Sequence, residues 1–183
     1  EYIASKQIPT IVSTGMITYD QMLITKKIFI ENKCPMMFLH CTSAYPCPLE
    51  DKNLNIIKVM KKLFNEDVGF SGHGTGIEGT IGAVTLGANV IEKHVTLSRN
   101  MSGPDQNASL EFDELNKLIN LSNNMIKAMG STEKKLQESE KTLKGVLQKK
   151  FISKEPIKKG SEIKGNMIRT VVSKNPNLFN VFS

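Results

Sequence analysis

Two histidines and several hydroxyl and carboxyl side chains stand where strand-like runs of this sequence end. The strand-like run Val68-Gly69-Phe70-Ser71 leads into Gly72-His73, and His94 stands near the end of the run Asn89 to Val95. Histidines closing consecutive strands lie about 4.8 Å apart in a parallel sheet. Both imidazoles could then share one divalent ion, with water and a substrate oxygen completing an octahedral shell. The same spacing equally suits two histidines that each hydrogen-bond locally. Ser13, Ser43 and Ser71 end or follow three successive strand-like runs and could cradle an anion through hydroxyl and backbone N–H groups; serines there also form turns. Glu92 suits an acid/base or a carboxylate beside a metal, and equally a carboxylate paired to a lysine. Asp105, in Gly103-Pro104-Asp105, could accept hydrogen bonds from sugar hydroxyls or belong to a plain turn. Tyr45 could stack on a sugar or anchor its loop. Lys93 alternates with Glu92 and His94, so it is expected on the opposite face, toward the sheet wall or a helix.

The elements that would carry these residues alternate along the first 130 positions. Strand-like runs start near residues 11, 36, 68 and 89. Between them lie helical patterns: Thr18 to Ile30 with Thr18 as N-cap, Leu54 to Leu63, and a small-residue stretch from Ile77 to Leu86. A last helix is expected from Glu111 to Met129, with Gly130 just past its end. Strand–helix repetition implies a parallel sheet, either doubly wound or part of an eight-fold barrel. Ligands of such sheets bind beyond the carboxyl ends of the strands, where the polar residues above are found. Residues 131–150 are polar and lysine-rich and read as a helical or loose linker. Phe151-Ile152-Ser153, Ile157 to Gly160 and Ile168 to Val172 suggest strands and turns of a small separate unit over 151–183, and Asn175 to Ser183 carries no clear pattern.

Charge divides at the same boundary. Residues 1–130 hold 12 Lys and Arg against 13 Asp and Glu, whereas residues 131–183 hold 12 against 5. The lysines are scattered without interleaved aromatics or a reader motif, so a solvated linker or a surface facing a phosphorylated substrate is expected, and no nucleic acid. No run approaches the roughly 18 apolar residues of a membrane span. Cys34, Cys41 and Cys47 fit no metal-ligand spacing and read as reduced packing residues of a cytoplasmic enzyme. The sequence opens at Glu1 with no initiator Met, and a lone four-strand set leaves two sheet edges unpaired, so a piece of a longer chain is expected.

Taken together, the runs STGM (Ser13 to Met16), HCTSAYP (His40 to Pro46), GFSGHGTGIE (Gly69 to Glu78), GANVIEKHVTL (Gly87 to Leu97) and GPDQNASL (Gly103 to Leu110) resemble the sialic acid synthase family, in order and spacing, over about residues 9–130. TSAYP and SGH look more like the animal-type members, and residues 146–172 resemble the start of the family's antifreeze-like (SAF) domain. The resemblance implies an α/β fold, the second half of a TIM (β/α)8 barrel comprising strands five to eight, followed by a linker and a partial SAF domain. It implies condensation of phosphoenolpyruvate with N-acetylmannosamine 6-phosphate or N-acetylmannosamine. Another nonulosonic acid synthase, such as a legionaminic or pseudaminic one, or a catalytically incomplete fragment are the alternatives.

The resemblance also implies roles. His73 and His94 would bind a divalent metal, typically Mn2+ with Mg2+ as the other choice, and Glu92 would be a catalytic carboxylate beside it. Ser13, Ser43 and Ser71 would hold phosphoenolpyruvate, with Ser43 standing where many bacterial members have Asn. Tyr45 and Asp105 would contact the sugar. Family members form homodimers that exchange the small domain. Arg169 lies near an arginine that reaches the neighbouring subunit in the family, but its run NMIRTVVSKNP departs from the usual Arg-Pro-Gly pattern, and the role is not carried over.

Overall fold

Thr18 does cap the first long helix. In the computed structural model, which describes residues 1–175 and 178, the Thr18 N–H donates to Gln21 Oε1 at 2.9 Å, and the Gln21 N–H donates back to Thr18 Oγ1. This reciprocal box starts the helix Tyr19–Glu31 and satisfies two of the four N–H groups a helix end leaves unpaired. A short turn of helix, α1 (Tyr2–Ser5), precedes β1 (Thr10–Ser13), and Tyr19–Glu31 is α2. There follow β2 (Met36–Cys41), α3 (Ile56–Phe64), β3 (Val68–Gly72), α4 (Glu78–Thr85), β4 (Ile91–Lys93) and α5 (Phe112–Met129). Gly130, just past α5, has φ +52°, a region where glycine pays no steric penalty.

Strands β1 to β4 form one parallel sheet in sequence order. The register fixes which side chains share a face. Ser13 pairs with Leu39, Leu39 with Gly69, Cys41 with Ser71, and Ser71 with Glu92. Alternation therefore sets Ser13, Cys41, Ser71 and Glu92 on one face and Val12, Phe38, His40, Phe70 and Ile91 on the other. The second face is covered by helices: Met22 of α2, Ile57 and Met60 of α3 and Ala83 of α4 pack with Phe38, Val68 and Phe70 into the main core. Central β3 is buried along its whole length, whereas β1 alternates between part-buried and exposed, with Ile11 56% exposed. A strand paired on both sides is enclosed; one at the edge shows its second face to solvent.

The last strand is shorter than the Asn89–Val95 expected. Pairing with β3 begins at Asn89 and Val90, whose backbones bond Val68 and Phe70. After Lys93 the chain leaves β3, because the His94 carbonyl accepts from Leu110 N–H and Thr96 N–H donates to Leu110 O.

The chain divides into two compact units, residues 1–130 and 131–183. In the second, α6 (Glu138–Leu147) starts inside the stretch read as linker, on a reciprocal Gln137–Glu140 box. Strands β5 (Lys149–Ser153) and β6 (Ile168–Val172) pair antiparallel. The Ile157–Gly160 segment forms no strand: Gly160 has φ +87° in a turn. The small-unit reading to residue 183 lies, for residues 176, 177 and 179–183, outside the described residues. No described helix is long and apolar enough to cross a membrane.

Candidate active site

Strand geometry brings His73, one residue past β3, and His94, one past β4, to the same rim. Their ring centroids lie 5.1 Å apart, and the Tyr45 ring packs against both, at 4.3 Å from His73 and 5.7 Å from His94. Tyr45 comes from the loop after β2, which returns over the end of β3 where Cys47 N–H donates to His73 O at 3.0 Å.

Around His73, Nε2 lies 3.2 Å from Ser71 Oγ, 3.4 Å from the Tyr45 hydroxyl and 3.4 Å from Cys41 Sγ. Ser71 Oγ donates its one proton to Glu92 Oε1 at 2.6 Å, so toward His73 it is left to accept. His73 Nδ1 is buried without a hydrogen-bond partner. Burial, followed by the His94 charge, holds the His73 imidazole below its ordinary range, against the opposing pull of Glu92. A neutral imidazole with an unanswered buried nitrogen is a ligand in search of an electrophile. The second imidazole lies beside it, ring centroids 5.1 Å apart. Among the described residues no three His, Cys, Asp or Glu side chains converge as a ready ligand set. His73 and His94 are thus the two imidazoles that could hold a metal at this rim, with the rest of its shell coming from outside these side chains.

Asp105 reaches the same cluster, its Oδ2 3.7 Å from His94 Nδ1. Its loop is tied down at several points. Ser109 Oγ donates to Asp105 O at 2.7 Å, Arg99 Nε to Ser109 O at 3.1 Å, and Arg99 N–H to Glu111 Oε1 at 2.9 Å. Arg99 also pairs with Glu114. That hydrogen bond, then the one from the Glu111 N–H, holds the Glu114 carboxyl below its ordinary range. A carboxyl depressed in the folded state contributes stability above the unfolded value of about 4.3, lost as pH falls through the folded value. Glu114→Gln is accordingly expected to lower the midpoint of thermal unfolding by about 2 °C at pH 7. The gap should close below about pH 4; a gap that persists there would assign it to packing.

Ser43 sits beside Cys41, its Oγ 3.9 Å from Sγ, and fills the space a Cβ on Gly15 would need. The β1 loop thus closes over Ser43. Ser13 stands apart at the exposed end of edge strand β1. Lys93 turns away from the cluster, as alternation requires: Nζ donates to Gly74 O and, at 3.2 Å, to Ala108 O. Burial, then the charge of Lys52, pushes its ammonium down to about 8. It ties the loop after His73 to the loop carrying Asp105.

Sequence reasoning missed Cys41. Read as packing, its thiol lines the site beside His73; the signal was its position at the end of β2, on the face of Ser71. Lys52, to which the sequence drew no attention, is only 7% exposed.

Residues 1–134 match the NeuB family. The chain belongs to that family. Among NeuB relatives, it is 41% identical over 153 residues to N,N'-diacetyllegionaminic acid synthase of Campylobacter jejuni, covering 82% of this chain and 46% of that one. It is 38% identical over 173 residues to the human N-acetylneuraminate-9-phosphate synthase, covering 94% and 48%. A solved N-acetylneuraminic acid (sialic acid) synthetase from Leptospira borgpetersenii superposes with a TM-score of 0.72 at 34% identity, over 77% of this chain and 50% of that one. This NeuB chain thus spans about half the length of the relatives it matches, and its parallel sheet is a half-barrel.

Proposed function

We propose that this chain supplies the C-terminal half of a NeuB-type synthase, strands five to eight of a (β/α)8 barrel followed by the start of an antifreeze-like domain. The reaction would join phosphoenolpyruvate to an N-acetylmannosamine-type sugar, 6-phosphorylated or free, with release of phosphate. The observation that carries this reading is the rim cluster of His73, His94 and Tyr45, backed by the Ser71–Glu92 hydrogen bond. A second reading, another nonulosonic acid, is favoured by the 41% identity to a legionaminic acid synthase.

His73 and His94 would hold a divalent cation, Mn2+ or Mg2+, which when bound would polarise the aldehyde oxygen of the open-chain sugar. Tyr45 and Asp105 would orient the sugar, Tyr45 with its ring and Asp105 by accepting from hydroxyls. Ser13, Ser43 and Ser71 would hold phosphoenolpyruvate so that its methylene carbon faces the aldehyde carbon. Bond formation between those carbons would turn the aldehyde oxygen into an alkoxide, which takes up a proton, and leave an electron-poor carbon still bearing the phosphate oxygen. Water would add there with loss of a proton, and the tetrahedral adduct would expel phosphate as its hydroxyl becomes the new ketone. Glu92, which accepts from Ser71, would hold the proton that water gives up. A homodimer exchanging the small domain belongs to the same reading.

The test is phosphate release from phosphoenolpyruvate with Mn2+ and either form of the sugar. It compares this chain alone with the same chain fused behind a relative's N-terminal half-barrel. Turnover in the fused protein and none in the chain alone is the expected result. No turnover in either, with both folded, overturns the catalytic reading.

A further inference from the structure

Lys52 ends a short 3-10 turn, Glu50–Lys52, in the loop between β2 and α3. Its side chain is buried, yet no carboxylate pairs with it among the described residues, and its ammonium has one hydrogen-bond acceptor there, Cys47 O at 3.0 Å. A buried cation answered by a single carbonyl is unfavourable unless the surrounding fold requires it. The fold has made room for it. A Cβ at Gly79 would lie 2.5 Å from Lys52 Cδ and 2.6 Å from Cε, and one at Gly74 would collide with Nζ. The stem thus runs through a slot that two glycines of the β3–α4 segment leave open.

Both ends of Lys52 act on the rim. Its carbonyl accepts from His40 Nε2 at 2.7 Å, anchoring the turn to β2. Its ammonium fixes the Cys47 carbonyl, while the Cys47 N–H fixes the His73 carbonyl. Tyr45, two residues before Cys47, is the ring that packs on His73.

We propose that Lys52 is a positioning residue which, from the slot between Gly74 and Gly79, locks the β2–α3 loop onto the end of β3 and so sets the Tyr45–His73 contact. The claim of consequence for catalysis rests on the function proposed above; the geometric claim does not, and its test needs neither metal nor substrate.

The test uses the full chain, with the His73 and Tyr45 ring signals followed by NMR and folding checked by circular dichroism. Lys52→Met keeps the stem and removes the ammonium. The expected result is loss of the Tyr45–His73 ring NOE and a moved His73 ring signal in a folded protein. An unchanged NOE and signal overturn the proposal, since packing alone survives this substitution. Gly79→Ala tests the slot. It should displace the same His73 signal in the wild-type background and leave it unmoved in Lys52→Ala, where the obstructing stem is gone and helix propensity favours alanine. Equal displacement in both backgrounds overturns the slot. Should Lys52→Met fail to fold, Gly79→Ala in the otherwise native chain decides alone: a displaced His73 signal keeps the lock, and an unmoved one overturns it. A positive result here with no turnover in the fused synthase would sink the function and keep the lock; the reverse would sink the lock alone.

Discussion

Alanine at His73 or at His94 is expected to cut phosphate release by about 1000-fold or more in the protein completed with an N-terminal half-barrel. The size follows from what each ring contributes. The protein brings two imidazoles to the rim and no third ligand of the His, Cys, Asp or Glu type among the described residues. Removing one would leave a single protein ligand, too few to hold a divalent ion against water. His73 carries the larger consequence, because its ring also organises its neighbours: Tyr45 stacks on it, and Cys41 and Ser71 converge on Nε2. Mn2+ binding measured by paramagnetic broadening should weaken in parallel with turnover in both variants. Turnover within about tenfold of the parent would remove both histidines from the metal-binding role.

Phe70→Ala is expected to destabilise the first unit by about 3–5 kcal/mol, read from urea unfolding of the chain. Phe70 is 2% exposed at the centre of β3, among Phe38, Ile57, Met60 and Val68. Its ring also meets that of His40, centroids 5.9 Å apart, and crowds the position a Cβ on Gly72 would take. A cavity there is walled by sheet on one side and helices on the other, so the surroundings have little freedom to collapse. A loss on that scale is a large fraction of the 5–15 kcal/mol typical of whole domains. A cost under about 1 kcal/mol would mean that the core repacks freely and that β3 does not organise it.

The outline of the fold was readable because its signals are local. Thr18 announces α2 through a capping box, Gly130 ends α5, and apolar runs bounded by polar residues mark β1 to β3. The end of β4 was harder, since His94 and Thr96 exchange one partner strand for Leu110, some fifteen positions further along the chain, and nothing in Asn89–Val95 announces it. The alternation rule did place Lys93 opposite Glu92 and His94, and the side chain points that way. Lys52 and Cys41 show where such reading stops. A lysine says solvent until two glycines of the next strand–helix segment open a slot for it. A cysteine says packing until register sets it beside a histidine. Both facts belong to tertiary contacts that a single sequence does not print.

Each strand of the half-barrel pairs only with the next strand in the chain. A polypeptide emerging from the ribosome could therefore add one strand–helix unit at a time, each finding its template already laid down by the unit before. Pairings between near neighbours carry a small loop-closure cost and favour fast, progressive assembly. The growing edge is then the vulnerable surface at every stage of synthesis, and β1, with Ile11 56% exposed on the face it shares with Ser13, is the edge that these four strands leave without a cover.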